Sequence, residues 1–163
     1  MIGKVIKYDR KNINTDQIIP ARYLLNINLD YLSNHCMEDL DSEFVEKVNK
    51  NNYSILVTDS NFGCGSSREQ APIALKAIGI KCIIAPSFAR IFFRNSINIG
   101  LQLVEFSSIE EIETGDTLEI NFKLGKIKNK NSLESYEIKE QPVFLREIIS
   151  EGGLVNYAKK KLL

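Results

Sequence analysis

The sequence predicts an α/β fold in which a mixed, partly parallel sheet is flanked by helices. Three short apolar segments alternate with two helical segments between residues 55 and 106, an order that favours right-handed crossovers and parallel strands. A later stretch, 117–138, carries alternating apolar residues, which is typical of antiparallel strands. No repeat or linker divides the 163 residues, so we expect a single domain over 1–163.

Each element follows from a local pattern. Apolar residues indicate a first strand around Val5–Tyr8, and helical spacing predicts a helix over 29–37. Asp41 is a candidate cap for the next helix. The alternating unit then comprises strands at 55–57, 81–85 and 101–106 and helices at 68–78 and 88–98.

The helix at 68–78 has the signature of a capping box at its start. Ser66 stands three residues before Glu69, the spacing that such a box requires. Ser67 and Gln70 offer the same spacing one residue later.

The C-terminal part combines two strands with helices. We expect strands at 117–124 and around 136–138, with a Lys/Asn-rich turn between them. Pro142 opens a helix that Gly152-Gly153 interrupts, and a last helical turn carries Lys159–Lys161 as solvated cations.

Composition excludes several classes of protein. The chain has 21 basic and 21 acidic residues, which argues against nucleic-acid binding because that binding depends on clustered positive charge. No apolar run approaches the length of about 18 residues that a membrane span needs. The residues after Met1 lack the apolar stretch of a signal peptide, so we expect a cytoplasmic protein.

Metal-ligating residues are scarce. The chain has three cysteines, Cys36, Cys64 and Cys82, and one histidine, His35. These include no C-x-x-C pair, so the sequence predicts no disulfide framework. It also predicts no zinc or iron–sulfur site held by this chain alone. We interpret His35 as a packed or surface residue of a helix.

The strongest local signal is the turn from Gly63 to Arg68, with the sequence GCGSSR. A glycine-rich link from a buried strand to a helix exposes backbone N–H groups, which favours an anion. An arginine replaces the third glycine of a dinucleotide motif, and the ending of a phosphate loop is missing. Arg68 is suited to a carboxylate, with Ser66 or Ser67 as base or nucleophile. The same residues also suit a tight turn with serine caps.

Two further clusters carry polar groups. Residues 14–24 read NTDQIIPARYL, in which an Asn/Thr/Asp group could be simple loop chemistry. Residues 85–95 read APSFARIFFRN and pass from a strand end into a helix. Arg90 and Arg94 share a face of that helix, where a second anion, an acidic partner or only water could contact them.

Together these motifs closely resemble the small subunits of 3-isopropylmalate dehydratases, of the compact kind that also serves homoaconitases. The sequences NTDQIIPARYL, FGCGSSRE and APSFARIFFRN occur in this order at 14–24, 62–69 and 85–95. The resemblance runs over essentially the whole chain. It implies the swivelling β/β/α domain that closes over the cluster-bearing domains in aconitase.

The resemblance also implies roles for individual residues. In aconitase-like enzymes the first serine of G-S-S-R-E abstracts a proton and the arginine holds a substrate carboxylate. Catalysis is thereby assigned to Ser66 and substrate binding to Arg68, with Ser67 beside them. The T-D motif adds Asp16 as a substrate-binding residue, and Arg22 is a further candidate.

By the same resemblance we expect one subunit of a hydro-lyase of leucine biosynthesis, inactive without a large subunit. The large subunit would carry a [4Fe–4S] cluster, and this chain would bind no cofactor. The two would form a heterodimer or heterotetramer that acts on a small dicarboxylate. Dehydration needs a base to remove a C–H proton and a Lewis acid to expel hydroxide. This chain lacks the side chains that would hold a metal acting as that Lewis acid.

Two departures from the family leave the substrate open. Gln70 stands where many relatives carry histidine. The loop in which relatives differ by substrate lacks the arginine that isopropylmalate enzymes often show after Tyr-Leu; it consists of Leu24, Leu25, Asn26, Ile27 and Asn28. Isopropylmalate, homocitrate, citramalate and dimethylmalate are all candidate substrates. A non-catalytic carboxylate-binding module is the alternative from another class.

Overall fold

The structure, a computed structural model, describes residues 1–162. Its strands are β1 (Ile2–Tyr8), β2 (Tyr53–Thr58), β3 (Cys82–Ala85), β4 (Gln102–Glu105), β5 (Thr117–Asn121), β6 (Lys126–Asn129) and β7 (Ser135–Glu137). They form one sheet in the order β4-β3-β2-β1-β5-β6-β7.

The helices flank this sheet. They are α1 (Thr15–Ile18), α2 (Leu29–Asn34), α3 (Phe44–Asn51), α4 (Gln70–Ala77), α5 (Arg90–Asn98), α6 (Val143–Ser150) and α7 (Leu154–Leu162), with 3-10 turns at Ala21–Tyr23 and Ile109–Glu111. Within the described chain, none of the helices has the length and apolar character needed to cross a membrane.

The sheet divides into a parallel and an antiparallel half. Strands β1 to β4 are mutually parallel, because helical crossovers return the chain to the same end of the sheet. Strand β5 runs antiparallel to β1, and β6 and β7 continue as antiparallel neighbours. The prediction of a mixed, partly parallel sheet flanked by helices is therefore confirmed.

Two hydrophobic cores lie on opposite faces of the sheet, because successive side chains of a strand point in opposite directions. On β2, Leu56 belongs to the first core, which the helices cover. Its neighbours Ile55 and Val57 belong to the second core, which also contains residues of β5 and β6. Across that second face the rings of Phe106 and Tyr136 lie 5.3 Å apart, so the two ends of the sheet curl towards each other.

The Lys/Asn-rich segment expected to be a turn is in fact strand β6. Ile127 is fully buried in the second core, and burying it compensates for the low strand propensity of its polar neighbours. Asn129 is also buried, and its side-chain amide donates to Asp116 over 2.7 Å.

The predicted capping boxes do not form, because α4 begins only at Gln70 and has no side-chain cap. Residues 66–69 are held by α1 instead. Thr15 Oγ1 donates to the carbonyl oxygen of Ser66 over 3.0 Å, and Arg68 bonds to Asp16. These tertiary contacts override the local capping preference.

Other predicted boundaries shift by a few residues. Helix α2 ends at Asn34, before the predicted end at residue 37. Asp41 lies ahead of α3 rather than at its N-cap, and its carboxylate accepts from the Glu43 amide over 3.0 Å. The same carboxylate accepts from the Tyr8 hydroxyl over 2.5 Å, so it ties β1 to the segment before α3.

Candidate active site

Three loops that follow parallel strands meet at one edge of the sheet. The loops after β1, β2 and β3 contain the three sequence motifs, and the carboxyl ends of parallel strands are where α/β proteins commonly bind ligands. Backbone hydrogen bonds join the loops directly. The Gly63 amide donates to Ile13 over 2.8 Å, and the Thr15 amide donates to Cys64 over 2.8 Å.

The third loop is joined to the second in the same way. The Phe62 amide donates to Ser87 over 3.1 Å, and the Ala89 amide donates to Phe62 over 3.0 Å. Phe62 is fully buried, and its ring stands at 84° to that of Phe92. The turn that starts at Gly63 is therefore fixed from both sides.

Gly63 is required by two independent features of this turn. Its φ of +76° lies in the left-handed region, where other residues are strained. A Cβ atom at this position would approach the Phe92 ring to 2.2 Å. A side chain here would push the turn away from α5.

Ser66 lies on the exposed part of the turn, and its hydroxyl forms no hydrogen bond with any residue from 1 to 162. Its carbonyl oxygen accepts from the buried Thr15 and from the Arg68 amide, over 3.0 and 2.9 Å. Within residues 1–162, the backbone amides of Gly65, Ser66 and Ser67 donate no hydrogen bond. Consecutive free amides next to a hydroxyl form a site that favours an anion.

Arg68 lies between this turn and α1. Its side chain is only 15% exposed. Nη1 donates to Asp16 over 2.5 Å and to the carbonyl oxygen of Ile19 over 3.2 Å. Nε and Nη2 have no partner among the described residues, so the guanidinium retains donors for a further carboxylate.

A groove of about 420 Å³ runs past Ser66. Gly63 and Gly65 line it on one side, and Arg90 and Arg94 of α5 line it on the other. Both arginines are exposed, and neither forms an ion pair in the part of the chain that the structure describes. Positive charge thus faces Ser66 across an open groove.

Arg22, the other predicted substrate-binding arginine, is engaged in a separate cluster. It contacts both carboxylate oxygens of Asp39, over 2.5 and 2.9 Å, and Glu38 over 3.0 Å. Glu38 also accepts from Tyr23 and bonds to His35, each over 2.7 Å. Hydrogen bonds from His35, Tyr23 and Arg22 lower the pKa of Glu38 to about 2.

His35 is a packed residue, in line with one of the two interpretations of the sequence. Its ring stacks on Tyr23 with centroids 3.8 Å apart. The histidine therefore belongs to the Arg22 cluster and takes no part in the contacts around Ser66.

The predicted specificity loop, residues 24–28, is mostly exposed. Leu24 packs against the first core, whereas Leu25 is 99% and Ile27 is 85% exposed. Asn26 accepts from the Asn28 amide over 2.9 Å, and the Asn28 side chain caps α2. The loop thus holds two apolar side chains away from the core on a braced backbone.

The cysteines do not fit an iron–sulfur cluster held by this chain. Cys36 lies in the first core and Cys82 in the second, on opposite faces of the sheet. Burial raises the pKa of both thiols, which disfavours the thiolate that a metal requires. Over residues 1–162 no group of three His, Cys, Asp or Glu side chains has a metal-binding arrangement.

Thr15 contributes to this site although no separate role was predicted for it from the sequence. It is 1% exposed and holds the backbone of Ser66 through its hydroxyl. Its place beside Asp16 in the T-D motif was the available signal. When a buried threonine precedes an exposed aspartate, the threonine is expected to make a structural contact and the aspartate is available for a contact at the site.

Comparisons with known proteins show which family the chain resembles. Residues 1–109 match the model of the aconitase C-terminal domain. The chain is 54% identical to a 3-isopropylmalate dehydratase small subunit of Endomicrobium trichonymphae, over 96% of this chain and 95% of that protein. It is 51% identical to the corresponding protein of Clostridium botulinum, over 98% of each chain.

A solved structure gives the same result for the fold. The crystal structure of 3-isopropylmalate dehydratase (LeuD) from Methanocaldococcus jannaschii matches with a TM-score of 0.91 and 43% identity. The match covers 99% of this chain and 96% of that one.

Proposed function

The chain belongs to the family of 3-isopropylmalate dehydratase small subunits, hydro-lyase subunits of leucine biosynthesis, and we propose that Ser66 and Arg68 carry its share of the reaction. The observation that supports this is the Ser66 hydroxyl and the three backbone amides of its turn, which have no partner within residues 1–162, together with the unused donors of the Arg68 guanidinium. The substrate that we propose is 3-isopropylmalate, a branched 2-hydroxy dicarboxylate.

Ser66 acts as the base in this proposal. Its oxygen removes the proton from the carbon next to the hydroxyl-bearing carbon, and later returns a proton when water adds back. A serine needs a lowered pKa to do this. The free amides of the turn and the positive charges of Arg68, Arg90 and Arg94 would stabilise the negative oxygen.

Arg68 and Asp16 act together on a substrate carboxylate. The Asp16 contact fixes the orientation of the guanidinium, and Nε and Nη2 are then free to donate to the carboxylate. Ser67 and the amides of the turn supply further donors. A substrate held at two carboxylates keeps the reacting carbon within reach of Ser66.

The large subunit is the partner that the family implies, and we propose that it covers the groove beside Ser66. Departure of hydroxide needs a Lewis acid, which on this proposal is a [4Fe–4S] cluster of the large subunit. The exposed Ile91 in the wall of the groove is 52% accessible and suits an interface that excludes water. A heterodimer or heterotetramer in the cytoplasm belongs to the same proposal.

The exposed loop of residues 24–28 favours a substrate that carries an apolar substituent. Leu25 and Ile27 are free to close on an isopropyl group, whereas a third carboxylate, as in homocitrate, would need a cation there. Dimethylmalate and citramalate have smaller apolar groups and are the nearest alternatives. The ratios of kcat/KM among these acids therefore measure the substrate specificity that we attribute to this loop.

The test is an anaerobic reconstitution of this chain with the cluster-loaded large subunit from the same genome. Absorbance of the unsaturated diacid reports turnover of isopropylmaleate, citraconate, dimethylmaleate and cis-homoaconitate. We expect the highest kcat/KM with isopropylmaleate. A different best substrate would correct the proposed specificity, and no turnover of any of the four would favour a non-catalytic carboxylate-binding module.

The role of Ser66 has its own matched pair of variants. Ser66→Ala should lower kcat about 10²- to 10⁴-fold, the usual contribution of a general base. Ser67→Ala removes the neighbouring hydroxyl and should cost about tenfold. Equal losses in the two variants would contradict the assignment of the base.

A further inference from the structure

A cleft that shares no lining residue with the Ser66 groove has the construction of a second ligand site. Its larger lobe encloses about 540 Å³ and adjoins a smaller lobe of about 200 Å³. Gln102, Phe122 and Gln141 line both lobes. None of the lining residues belongs to the groove beside Ser66. The larger lobe alone has the volume of a small-molecule site.

Gln102 occupies a position where an apolar residue is expected. It shares a face of β4 with Val104, which lies in the second core, because side chains alternate along a strand. Gln102 is only 5% exposed, and its amide nitrogen has no hydrogen-bond partner. A buried amide without a partner destabilises a fold, so its presence needs a reason.

Two more residues that line the same cleft each carry a buried polar atom without a partner. These atoms are Oε1 of Gln141 and Nε of Arg146. Only four such buried side-chain atoms occur within residues 1–162, and three of them are here. Native proteins leave few buried polar atoms without a partner. Their concentration in one cleft therefore points to a missing ligand rather than to scattered defects.

The charge of the larger lobe favours an anion, whereas the smaller lobe is lined by Glu105, Lys139 and Glu140. Arg146 forms no ion pair within the described chain, and Lys123 also lines the larger lobe. The one acidic side chain there, Glu119, is paired with Lys130 over 2.5 Å. Phe122, Ile120 and Ile149 give the lobe an apolar wall.

We propose that this cleft binds a small carboxylic acid with an apolar chain. The carboxylate accepts from Arg146 and from the amide nitrogen of Gln102, and the chain packs on Phe122 and Ile149. Gln141 Oε1 accepts from a hydroxyl or amino group when the acid carries one. Bidentate recognition by arginine favours a carboxylate over a simple halide.

The test uses the full chain labelled with ¹⁵N and the probe 4-methylpentanoate. We expect saturable shifts of the Arg146 Nε–H and Gln102 side-chain signals, with a Kd of about 1 mM for a ligand of this size. The neutral 4-methylpentanamide and the cation 4-methylpentylamine have the same chain. Each should bind at least about tenfold more weakly.

Variants separate binding from folding. Arg146→Met should weaken binding at least about tenfold, whereas Arg10→Met, an exposed arginine outside the cleft, should leave the Kd unchanged. Gln102→Leu should weaken binding about fivefold and raise Tm by about 2–4 °C, because it removes a buried unpartnered donor. This second variant keeps the test decisive where Arg146→Met fails to fold.

The proposal is overturned by any of the following results. They are the absence of saturable shifts up to about tenfold above the expected Kd, equal binding of the amine or the amide, and an unchanged Kd in both cleft variants. Shifts confined to residues 65–68 would mean that the acid occupies only the groove beside Ser66, and would also overturn it.

Discussion

Two arginines of this molecule meet carboxylates in different ways. Arg22 is half exposed and contacts two acids, Asp39 and Glu38. Arg68 is 15% exposed and contacts a single acid, Asp16, through one nitrogen. Both terminal nitrogens of Arg22 are bonded to carboxylates, whereas only one terminal nitrogen of Arg68 is bonded within the described residues.

From this difference we propose that free donors, rather than charge alone, distinguish an arginine that is available to a ligand. Arg22 and its acids form an exposed network, whose contribution to stability is modest. Arg68 is more shielded from water, so each hydrogen bond that it makes is stronger. A substrate carboxylate at Arg68 would complete a half-filled arrangement, whereas at Arg22 it would have to displace Asp39.

The largest expected effect is that of Arg68→Lys on the reconstituted enzyme. Lysine keeps the charge but loses the two-pronged geometry, so kcat/KM should fall about 10²- to 10³-fold. Steady-state rates with isopropylmaleate measure this. The matched variant Arg22→Lys should change kcat/KM less than about threefold. An equal loss of kcat/KM in the two variants would contradict the proposed difference between the two arginines.

Asp16→Asn comes next in size. The amide keeps the shape but not the charge, so Arg68 loses its orienting partner and kcat/KM should fall about tenfold. Circular dichroism should show an unchanged fold, because the Asp16 side chain is exposed. A variant with wild-type kcat/KM would show that Arg68 needs no orientation by Asp16.

Arg22→Met should affect stability rather than catalysis. Loss of the contacts to Asp39 and Glu38 should lower Tm by about 2–4 °C. The difference from wild type should shrink in about 1 M NaCl, since salt screens exposed charges. Calorimetry at low and high salt measures both effects, and a difference that is independent of salt would mean that packing on Tyr23 dominates.

The smallest effect concerns the pH dependence of stability. The pKa of Glu38 is lowered from 4.5 to about 2 in the folded chain. A carboxyl group whose pKa is lowered by folding stabilises the folded chain at every pH above the pKa of the unfolded chain. This contribution is lost as the pH falls from 4.5 towards 2. Glu38→Gln should therefore lower the free energy of unfolding at pH 7 by about 0.5–1 kcal/mol.

Urea unfolding at several pH values measures this prediction. The gap between Glu38→Gln and wild type should close between pH 4.5 and 2, following the pKa of Glu38. Glu110→Gln changes an exposed acid outside the Arg22 cluster and serves as control. A gap that is the same at pH 7 and pH 2 would contradict the ionic origin of the stabilisation.

Much of the fold could be predicted because its signals are local. The β-branched segment at Ile55–Val57 and the glycine after α4 mark a strand and a helix end by side-chain sterics alone. Strand β6 could not be found in this way. Its single apolar residue, Ile127, is extended and buried only through pairing with β5, which is a long-range property.

The candidate site was predictable to a similar extent. The motifs identified Ser66, Arg68 and Asp16, and the topology explains why loops after successive strands meet. The bond between Thr15 and Ser66 joins residues 51 positions apart, so no local pattern could indicate it. The same holds for Arg22, whose partners Glu38 and Asp39 lie in a loop without a recognisable motif.

The exposed apolar loop has a consequence for evolvability. Leu25 and Ile27 make few contacts within the chain, so substitutions there cost little folding free energy. Gly63 offers the opposite case, because any side chain would collide with Phe92. On the proposed role of this loop, duplicated genes could therefore diverge towards new diacids through Leu25 and Ile27. A library randomised at these two positions should consist mainly of folded proteins.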